Sequence, residues 1–273
     1  MNISVIIPTY NRADFIVKTI QTVLNQTVKP YEIIVVDDGS TDDTEDILRA
    51  FCYINPNKIK YIKQINYGVS SARNLGIKES SSEWLCFLDS DDLWEDTKLE
   101  EQINFHKENQ NILFSHTQEL WLFNNKIIKQ KKHQQKQSGF CFKENIANTL
   151  IGASTVMVHK SILEDVGLFD EELKVCEDYD LWLRILYKYE VGIIQKQLIK
   201  KIAGHKEQLS FTTPLMDTYR IKSLQKHINS KYAQDIKDII IKKCEILIKG
   251  AIKHQNKKIE NYYSDLKYSF FIV

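Results

Sequence analysis

Apolar residues follow two different spacings through the first third of the chain. Four short segments rich in apolar residues predict strands, and the nearly continuous runs among them suit burial on both faces of a parallel sheet. These segments are residues 3–7, 32–36, 59–65 and 84–88. Between them, apolar residues recur three and four positions apart, which predicts helices at residues 11–25, behind Ser40, and at residues 70–78. Strands that alternate with helices are typical of an α/β fold with a mostly parallel sheet flanked by helices.

Capping residues predict where several of these helices begin. In a capping box, a polar side chain accepts a hydrogen bond from the first helical turn and a residue three positions later bonds back. The matching pairs are Asn11 with Asp14, Ser40 with Asp43, and Ser161 with Glu164. Gly167 stands where a helix C-terminus favours glycine. We therefore expect Asn11 and Ser40 to cap the helices that follow them.

The rest of the chain has a weaker pattern. A helix is predicted at residues 96–108, and a hairpin joins residues 112–122 to residues 126–129. Residues 129–137 are rich in Lys and Gln without apolar periodicity, which predicts an exposed loop. From about residue 218 the chain is predicted to be helical to its end. One face of this region is apolar and contains Ile236, Ile239, Ile240, Cys244, Leu247 and Ile248.

Composition argues against several classes of protein. Of 273 residues, 37 are Lys or Arg and 36 are Asp or Glu, so a net charge of +1 gives no basic surface for nucleic acid, and we expect no nucleic-acid partner. No apolar run reaches the ~18 residues of a membrane span. Residues 1–8 lack the basic segment of a signal peptide, so the expected location is the cytoplasm. The five cysteines form no C-x-x-C pair and are expected to be buried thiols.

Polar clusters follow the first two predicted strands at their carboxyl ends, where open parallel sheets bind ligands. The first cluster contains Pro8, Thr9, Tyr10 and Arg12, and the second contains Asp37 and Asp38. Each precedes a helix whose free N–H groups suit a phosphate, although simple capping by Asn11 and Ser40 explains the same positions. Neither cluster has the glycine pattern of a dinucleotide site or of a P-loop. A nucleotide at this edge of the sheet would be held largely by side chains.

Three carboxylates, on Asp89, Asp91 and Asp92, follow the fourth predicted strand. Carboxylates this close repel one another, and Mg²⁺ or Mn²⁺ with oxygen ligands relieves that repulsion. The alternative is a solvated acidic turn at the start of a helix. An EF-hand is excluded, because the segment lacks the glycine and the final glutamate of that calcium loop.

A second acidic segment begins a predicted amphipathic helix. Its carboxylates, on Glu177, Asp178 and Asp180, either complement the helix dipole or include a general base. In the second case, Trp182 offers an apolar face on which a sugar ring could stack. The residues alone leave these alternatives open. His205 lies further along, and a lone histidine is more often structural than a metal ligand.

Taken together and in this order, five segments resemble glycosyltransferase family 2, the inverting nucleotide-sugar transferases with a GT-A fold. The segments are residues 5–12, 35–42, 68–74, 87–92 and 177–178. The resemblance implies a GT-A (Rossmann-like) domain at residues 1–214, with a nucleotide-binding half at residues 1–110 and an acceptor-binding half at residues 111–214. Residues 215–273 form a helical C-terminal appendage in this division.

The resemblance also implies roles for individual residues. Asp37 is similar to the family's contact to the nucleotide base, and Asp178 to its catalytic base. The donor, a UDP-sugar in most members, would be bound by Pro8, Thr9, Tyr10, Arg12, Asp37, Asp38, Arg73, Asp89 and Ser90. Mn²⁺ or Mg²⁺ would be bound by Asp91, Asp89 and His205, and the acceptor by Glu177 and Trp182. The implied reaction is a metal-assisted single displacement by a hydroxyl of a glycan, lipid-linked or other acceptor, in the synthesis of bacterial surface glycans.

Other functions compete with this interpretation. A haloacid-dehalogenase-type phosphatase also has a strand that ends in Asp-x-Asp, with Asp89 as nucleophile and Asp91 as acid, but Leu93 stands where that family has Thr or Val. A sugar nucleotidyltransferase would begin with a glycine-rich loop that this chain lacks. A non-catalytic binding module would need no base, and the joint presence of Asp89, Asp91, Asp178 and His205 argues against it.

The predicted C-terminal helices are rich in lysine. This suits either peripheral contact with the anionic inner face of a membrane or an ordinary solvated helix face. The lysines concerned are Lys222, Lys226, Lys231, Lys237, Lys242, Lys243, Lys249 and Lys253.

Overall fold

The computed structural model describes residues 1–123, 126–128, 135–204 and 213–271. Within these ranges, nine strands form one sheet. The strands are β1 Ile3–Thr9, β2 Glu32–Asp37, β3 Ile59–Lys63, β4 Trp84–Phe87, β5 Asp92–Trp94, β6 Phe114–Phe123, β7 Lys126–Ile128, β8 Met157–His159 and β9 Gly192–Ala203. The helices are α1 Ala13–Leu24, α2 Thr44–Ile54, α3 Val69–Glu79, α4 Lys98–Glu108, α5 Phe142–Asn145, α6 Lys160–Val166, α7 Glu177–Lys188, α8 Met216–Gln225, α9 Ala233–Lys253 and α10 Lys257–Ser269.

The strand order is β3-β2-β1-β4-β8-β6-β9-β5, with β7 beside β6. The first four strands are parallel, and in their register Thr9 lies beside Asp37, so that β1 and β2 end together. β8 runs antiparallel to both β4 and β6, β9 runs parallel to β6, and β5 runs antiparallel to β9. The predicted α/β class is therefore confirmed, with the parallel part of the sheet in the N-terminal half and a mixed sheet beyond it.

The continuous apolar runs were predicted to be strands buried on both faces, and the structure confirms this, because the sheet has a core on each side. Every residue of β1 is buried. On one face, its Val5 and Ile7 belong to a core with Ile16 and Ile20 of α1. On the other face, Ile6 belongs to a second core. A continuous run such as residues 3–7 therefore buries both sets of alternate side chains.

The C-terminal helices pack on this second core. Ile221 of α8, Ile240 of α9 and Tyr263 of α10 are buried in the same cluster as Phe87 of β4 and Leu183 of α7. The predicted apolar face is confirmed, since its residues are buried or packed against the cluster. The region is thus a helical C-terminal part, as predicted, and it shares a core with the sheet.

Two of the C-terminal lysines pair with carboxylates, and the buried one, Lys243, is unsuited to a membrane contact. Lys243 is buried and its Nζ lies 2.9 Å from Asp217, while Lys226 pairs with Asp170 and Asp180. Membrane contact by this region stays a prediction, and only exposed lysines such as Lys249 suit it. No helix within the described ranges is long and apolar enough to cross a membrane.

The predicted caps at Asn11 and Ser40 are wrong, because both side chains bond to the neighbouring loop instead of to a helix. α1 begins at Ala13 and α2 at Thr44, so both residues stand before the helices. The Asn11 backbone N–H donates to Ser40 Oγ over 2.9 Å, and Asn11 Oδ1 accepts from the Thr41 N–H over 2.8 Å. These two polar residues therefore join the loops that follow β1 and β2. Asn11 does so with a left-handed backbone (φ 50°), which asparagine tolerates better than most residues.

Two further local predictions differ from the structure. His159, rather than Ser161, caps α6, because its side chain accepts from the Ser161 N–H. Lys136, in the segment predicted to be an exposed loop, is buried with its Nζ 3.2 Å from Glu119. A buried carboxylate requires a counter-charge, and composition does not show this. Residues 129–134 of that segment lie outside the described part of the chain.

Other predictions are confirmed. β6 and β7 form the expected hairpin, with Trp121 beside Ile128. Gly167 ends α6 with a φ of 86°. All five cysteines are unbridged; four are buried and Cys52 is half-buried.

Candidate functional site

A cleft of about 810 Å³ opens at the carboxyl ends of β1, β2 and β4. It contains most of the residues that the sequence analysis selected, although they come from segments far apart in the chain. From the first half these are Pro8, Thr9, Tyr10, Arg12, Asp38, Arg73, Asp89, Ser90 and Asp91, and from the second half Glu177 and Asp178. The predicted convergence of these polar clusters at one sheet edge is what the structure shows.

Asp37 and Asp38 have different positions relative to the cleft. Asp37 is fully buried, and its carboxylate accepts from the Ser40 N–H over 2.8 Å and from the Tyr61 hydroxyl over 2.9 Å. Asp38 lines the cleft, and its carboxylate accepts from the Gly68 N–H over 2.8 Å. The predicted contact of Asp37 with a nucleotide base is therefore corrected. Asp37 fixes the turn after β2, and Asp38 is the carboxylate on the cleft wall.

Arg73 joins the two halves of the site. Its guanidinium is buried, with Nη2 2.7 Å from Asp89 Oδ1 and Nη1 in a short contact with Glu177. Burial by itself raises the pKa of Asp89, but the charges of Arg73 and Lys201 outweigh it and hold that pKa below its usual value. Arg73 thus keeps Asp89 ionised and ties the end of β4 to the start of α7. Glu177, predicted to bind an acceptor, lines the cleft but directs its carboxylate to Arg73.

The acidic cluster after β4 divides into an inner and an outer part. Asp92 is buried, and its carboxylate accepts from the Ser154 hydroxyl over 2.7 Å. Burial, together with the nearby charges of Asp91 and Asp89, raises the pKa of Asp92 well above its usual value, although the charge of Lys201 opposes this. Asp91 lies at the cleft with one oxygen 3.9 Å from Arg12 Nε. Asp89 is therefore held in its ionised form. Asp91 lies at the cleft, where a ligand can reach it.

Asp178 stands in the first turn of α7 and lines the same cleft. The helix begins directly after Cys176, whose backbone is left-handed at φ 63°. This turn brings the acidic residues that follow to the cleft. Burial and the adjacent charge of Glu177 raise the pKa of Asp178 to about 7. A carboxylate with such a pKa can accept a proton near neutral pH, which is the property of a general base.

Trp182 does not have the predicted role. Its side chain is 2% exposed and its ring packs against Phe87, Phe114 and Phe169. No ring face is left for a sugar, so the predicted stacking on Trp182 is wrong. The periodicity of α7 explains the mistake, because Trp182 lies on the face that the helix buries in the core. His205, the predicted third metal ligand, lies outside the described residues.

The sequence analysis missed three cations that line the cleft, namely Lys201, Arg220 and the exposed Lys174. Lys201 of β9 is half-buried among carboxylates. Its partial burial lowers its pKa, but the charges of Asp92, Glu119 and Asp89 outweigh that effect and raise it. Arg220 of α8 reaches the cleft from the C-terminal helices. A lysine in a strand and an arginine in a lysine-rich helix normally indicate solvent-facing positions, so the pattern contained no signal for either.

Comparison with known proteins places this geometry in context. The family model described as "Glycosyl transferase family 2" matches residues 4–167. An uncharacterized glycosyltransferase of Rickettsia conorii is 40% identical over 203 residues, which cover 74% of this chain and 33% of that protein. The chain thus spans about a third of the length of the first curated relatives that it matches.

Two further proteins match the chain over almost its whole length. The UDP-Glc:alpha-D-GlcNAc-diphosphoundecaprenol beta-1,3-glucosyltransferase WfaP of Escherichia coli is 31% identical and is covered over 91% of its length by 96% of this chain. The crystal structure of S. aureus TarS 1-349 in complex with UDP-GlcNAc superposes with a TM-score of 0.64 at 19% identity, over 99% of this chain and 91% of that one. This structural likeness confirms the predicted GT-A architecture.

Proposed function

Because the chain belongs to glycosyl transferase family 2, we propose that it transfers a sugar from a UDP-sugar to an acceptor hydroxyl. The observation that carries this proposal is the single cleft in which Asp178 and the Asp89–Asp91 segment converge with the loops after β1 and β2. UDP as the donor nucleotide is supported by the donor named for WfaP and by the ligand of the TarS complex. Family membership argues against the phosphatase alternative, whose motif resemblance is limited to the Asp89–Asp91 segment.

In this proposal the two ends of the cleft have different tasks. Residues 1–110 bind the nucleotide through the loops that Asn11 and Ser40 hold together, with Arg12 and Asp38 on the wall. Residues 111–214 bind the acceptor near the start of α7. Arg73 links the two parts, since it contacts both Asp89 and Glu177.

Asp178 is the proposed catalytic base. A sugar hydroxyl is a weak nucleophile because its pKa is far above neutral, so its proton must leave as the bond to the anomeric carbon forms. Asp178 would accept that proton at its carboxylate while the nucleoside diphosphate departs from the opposite side of the anomeric carbon. A single displacement of this kind inverts the anomeric centre, and an α-linked donor would give a β-linked product.

Mg²⁺ or Mn²⁺ is the proposed cofactor, and the carboxylates at the cleft fit such an ion. Among the residues that the structure describes, no three His, Cys, Asp or Glu side chains converge into a complete metal site. Mg²⁺, however, usually takes one or two carboxylates and completes its shell with substrate phosphates and water, and Asp91 with Asp89 at the cleft matches that need. When bound, such an ion would neutralise the charge that develops on the departing diphosphate. Asp91 and Asp89 would hold it, and His205 stays a candidate ligand.

The proposed acceptor is a hydroxyl of a glycan or of a lipid-linked sugar. WfaP is named for an acceptor of the lipid-linked kind, and a Bacillus subtilis relative, 33% identical over 187 residues, is named as a putative teichuronic acid biosynthesis glycosyltransferase. With a lipid-linked acceptor, the proposed reaction would take place at the cytoplasmic face of a membrane.

Nucleotide binding tests the proposal directly. We expect UDP to raise the melting temperature of the protein more than ADP, GDP or CDP does, and Mn²⁺ or Mg²⁺ to increase the effect. A ligand at 100 times its Kd stabilises the folded state by ~2.7 kcal/mol, which differential scanning fluorimetry detects easily. The same panel on Asp91→Asn should lose the metal-dependent part alone. Absence of stabilisation by every nucleoside diphosphate, with and without metal, would contradict the proposed donor site.

The rate should depend on pH through Asp178. Only the carboxylate form can accept a proton, and its pKa is about 7, so kcat/KM should fall about tenfold per pH unit below that value and reach a plateau above pH 8. Initial rates between pH 5 and 9, with the protein shown to stay folded, measure this profile. A profile that is flat down to pH 5 would show that a group of raised pKa is not the base.

A further inference from the structure

The start of α8 forms one wall of the cleft beside the proposed base. Met216 and Arg220 are four residues apart on α8, so they share one helix face, and both line the cleft. Cys176 Sγ lies 3.9 Å from the Met216 carbonyl oxygen, which joins this helix to the residue before Glu177 and Asp178. The C-terminal helices therefore contribute directly to the end of the cleft where the acceptor must approach Asp178.

This wall carries more positive than negative charge. Asp217 Oδ1 accepts from Arg220 Nη1 over 3.0 Å and from Lys243 Nζ over 2.9 Å, so two cations share one carboxylate. Burial raises the pKa of the Cys176 thiol to about 12 and raises that of Tyr179 further, so neither neighbour of Arg220 supplies a negative charge at neutral pH. Arg220 is thus only partly compensated by the groups around it.

The guanidinium of Arg220 also has donor capacity left over. Its Nε is buried and has no hydrogen-bond partner within the described residues, and 23% of the side chain is exposed. Lys174, an exposed residue shortly before α7, lines the same cleft. A guanidinium with an unused N–H group and an ammonium on the lining of one cleft are both groups that bind phosphate oxygens.

We propose that Arg220, assisted by Lys174, binds a phosphate group on the acceptor, next to the hydroxyl that receives the sugar. The inference rests on the proposed function and specifies its acceptor as a phosphorylated molecule. This phosphate is distinct from the donor's diphosphate, which belongs to the end of the cleft with Arg12 and Asp91. The C-terminal helices thereby select the acceptor.

Isothermal titration calorimetry with decyl diphosphate tests the assignment. The protein is first saturated with UDP in constant Mg²⁺, so that the donor end is filled, and decyl maltoside serves as the uncharged probe with the same chain. We expect one molecule of decyl diphosphate to bind at least tenfold more tightly than decyl maltoside, and inorganic pyrophosphate to compete with it. Arg220→Gln should weaken decyl diphosphate binding about tenfold or more, because a charge-assisted contact contributes about 1.5–3 kcal/mol.

Matched variants separate recognition from folding. Arg220→Lys should restore part of the affinity, and Lys222→Gln, which removes a charge from an exposed position of the same helix, should leave it unchanged. Arg220→Gln leaves Asp217 paired with Lys243, so the melting temperature should change little.

Two results would overturn the inference: equal affinity of the wild-type protein for both decyl probes, or unchanged decyl diphosphate binding in a folded Arg220→Gln variant. Either result with UDP binding intact would remove the phosphate site and leave the transferase proposal standing. If the wild-type protein does not bind UDP, that result would instead count against the transferase proposal.

Discussion

Asp178→Asn should lower kcat by about 10²–10⁴-fold, the usual contribution of a general base, and leave the Kd for UDP within about twofold. Asparagine keeps the shape of the side chain but cannot accept the proton of the attacking hydroxyl. In the proposed function UDP would bind at the loops after β1 and β2, which this substitution does not touch. Release of UDP from a UDP-sugar in the presence of acceptor measures the first effect, and calorimetry with UDP measures the second.

The variant should fold at least as well as the wild-type protein. The raised pKa of Asp178 means that the folded state disfavours the charged form, so at pH 8, above this pKa, the ionised carboxylate costs stability that asparagine avoids. Asp165→Asn, an exposed carboxylate paired with Lys188, is a matched control and should keep full activity. Turnover by Asp178→Asn within twofold of wild type would remove Asp178 from the proposed role.

The strands of the N-terminal half could be predicted from the sequence because the apolar pattern that specifies each strand lies within the strand itself and involves several of its residues. A segment such as residues 3–7 is apolar on both faces, and only a sheet covered on both sides accommodates it. The position of the cleft followed from the same pattern, since polar residues after parallel strands meet at one edge. Asp38, Asp89 and Asp178 therefore reached the cleft as expected.

The predictions that failed concern residues whose positions depend on contacts between distant segments of the chain. Asn11 and Ser40 have the spacing of caps, but each finds a better partner in the other's loop, 29 residues away. Trp182 could have faced either the cleft or the core, and the ring of Phe114, which packs against it, decides this. Arg220 and Lys201 reach the cleft only because the fold places them there, beside acidic residues and helices from other parts of the chain. A single sequence does not display these pairings.

Arg73→Met should lower the free energy of unfolding by about 3–5 kcal/mol, the usual consequence of removing one partner from a buried ion pair. The loss arises because Glu177, whose side chain is 8% exposed, and Asp89 would keep their charges without the cation that compensates them. Urea unfolding at pH 8, followed by circular dichroism, measures the change. Because the same guanidinium links β4 to α7, activity should fall in this variant even where it remains folded.

The pH and a second substitution distinguish this electrostatic cause from a simple packing defect. Arg73 holds the pKa of Asp89 below its usual value, so without Arg73 this pKa should rise. Asp89 then takes up a proton more readily as the pH falls, and the stability lost by Arg73→Met should be smaller at pH 5 than at pH 8. Arg73→Met combined with Glu177→Gln should recover part of the loss, since one uncompensated charge is then absent. Arg49→Met breaks an exposed pair with Glu45 and should cost far less stability than Arg73→Met. A loss for Arg73→Met as small as that of Arg49→Met would mean that the two halves of the site are held together by packing rather than by this guanidinium.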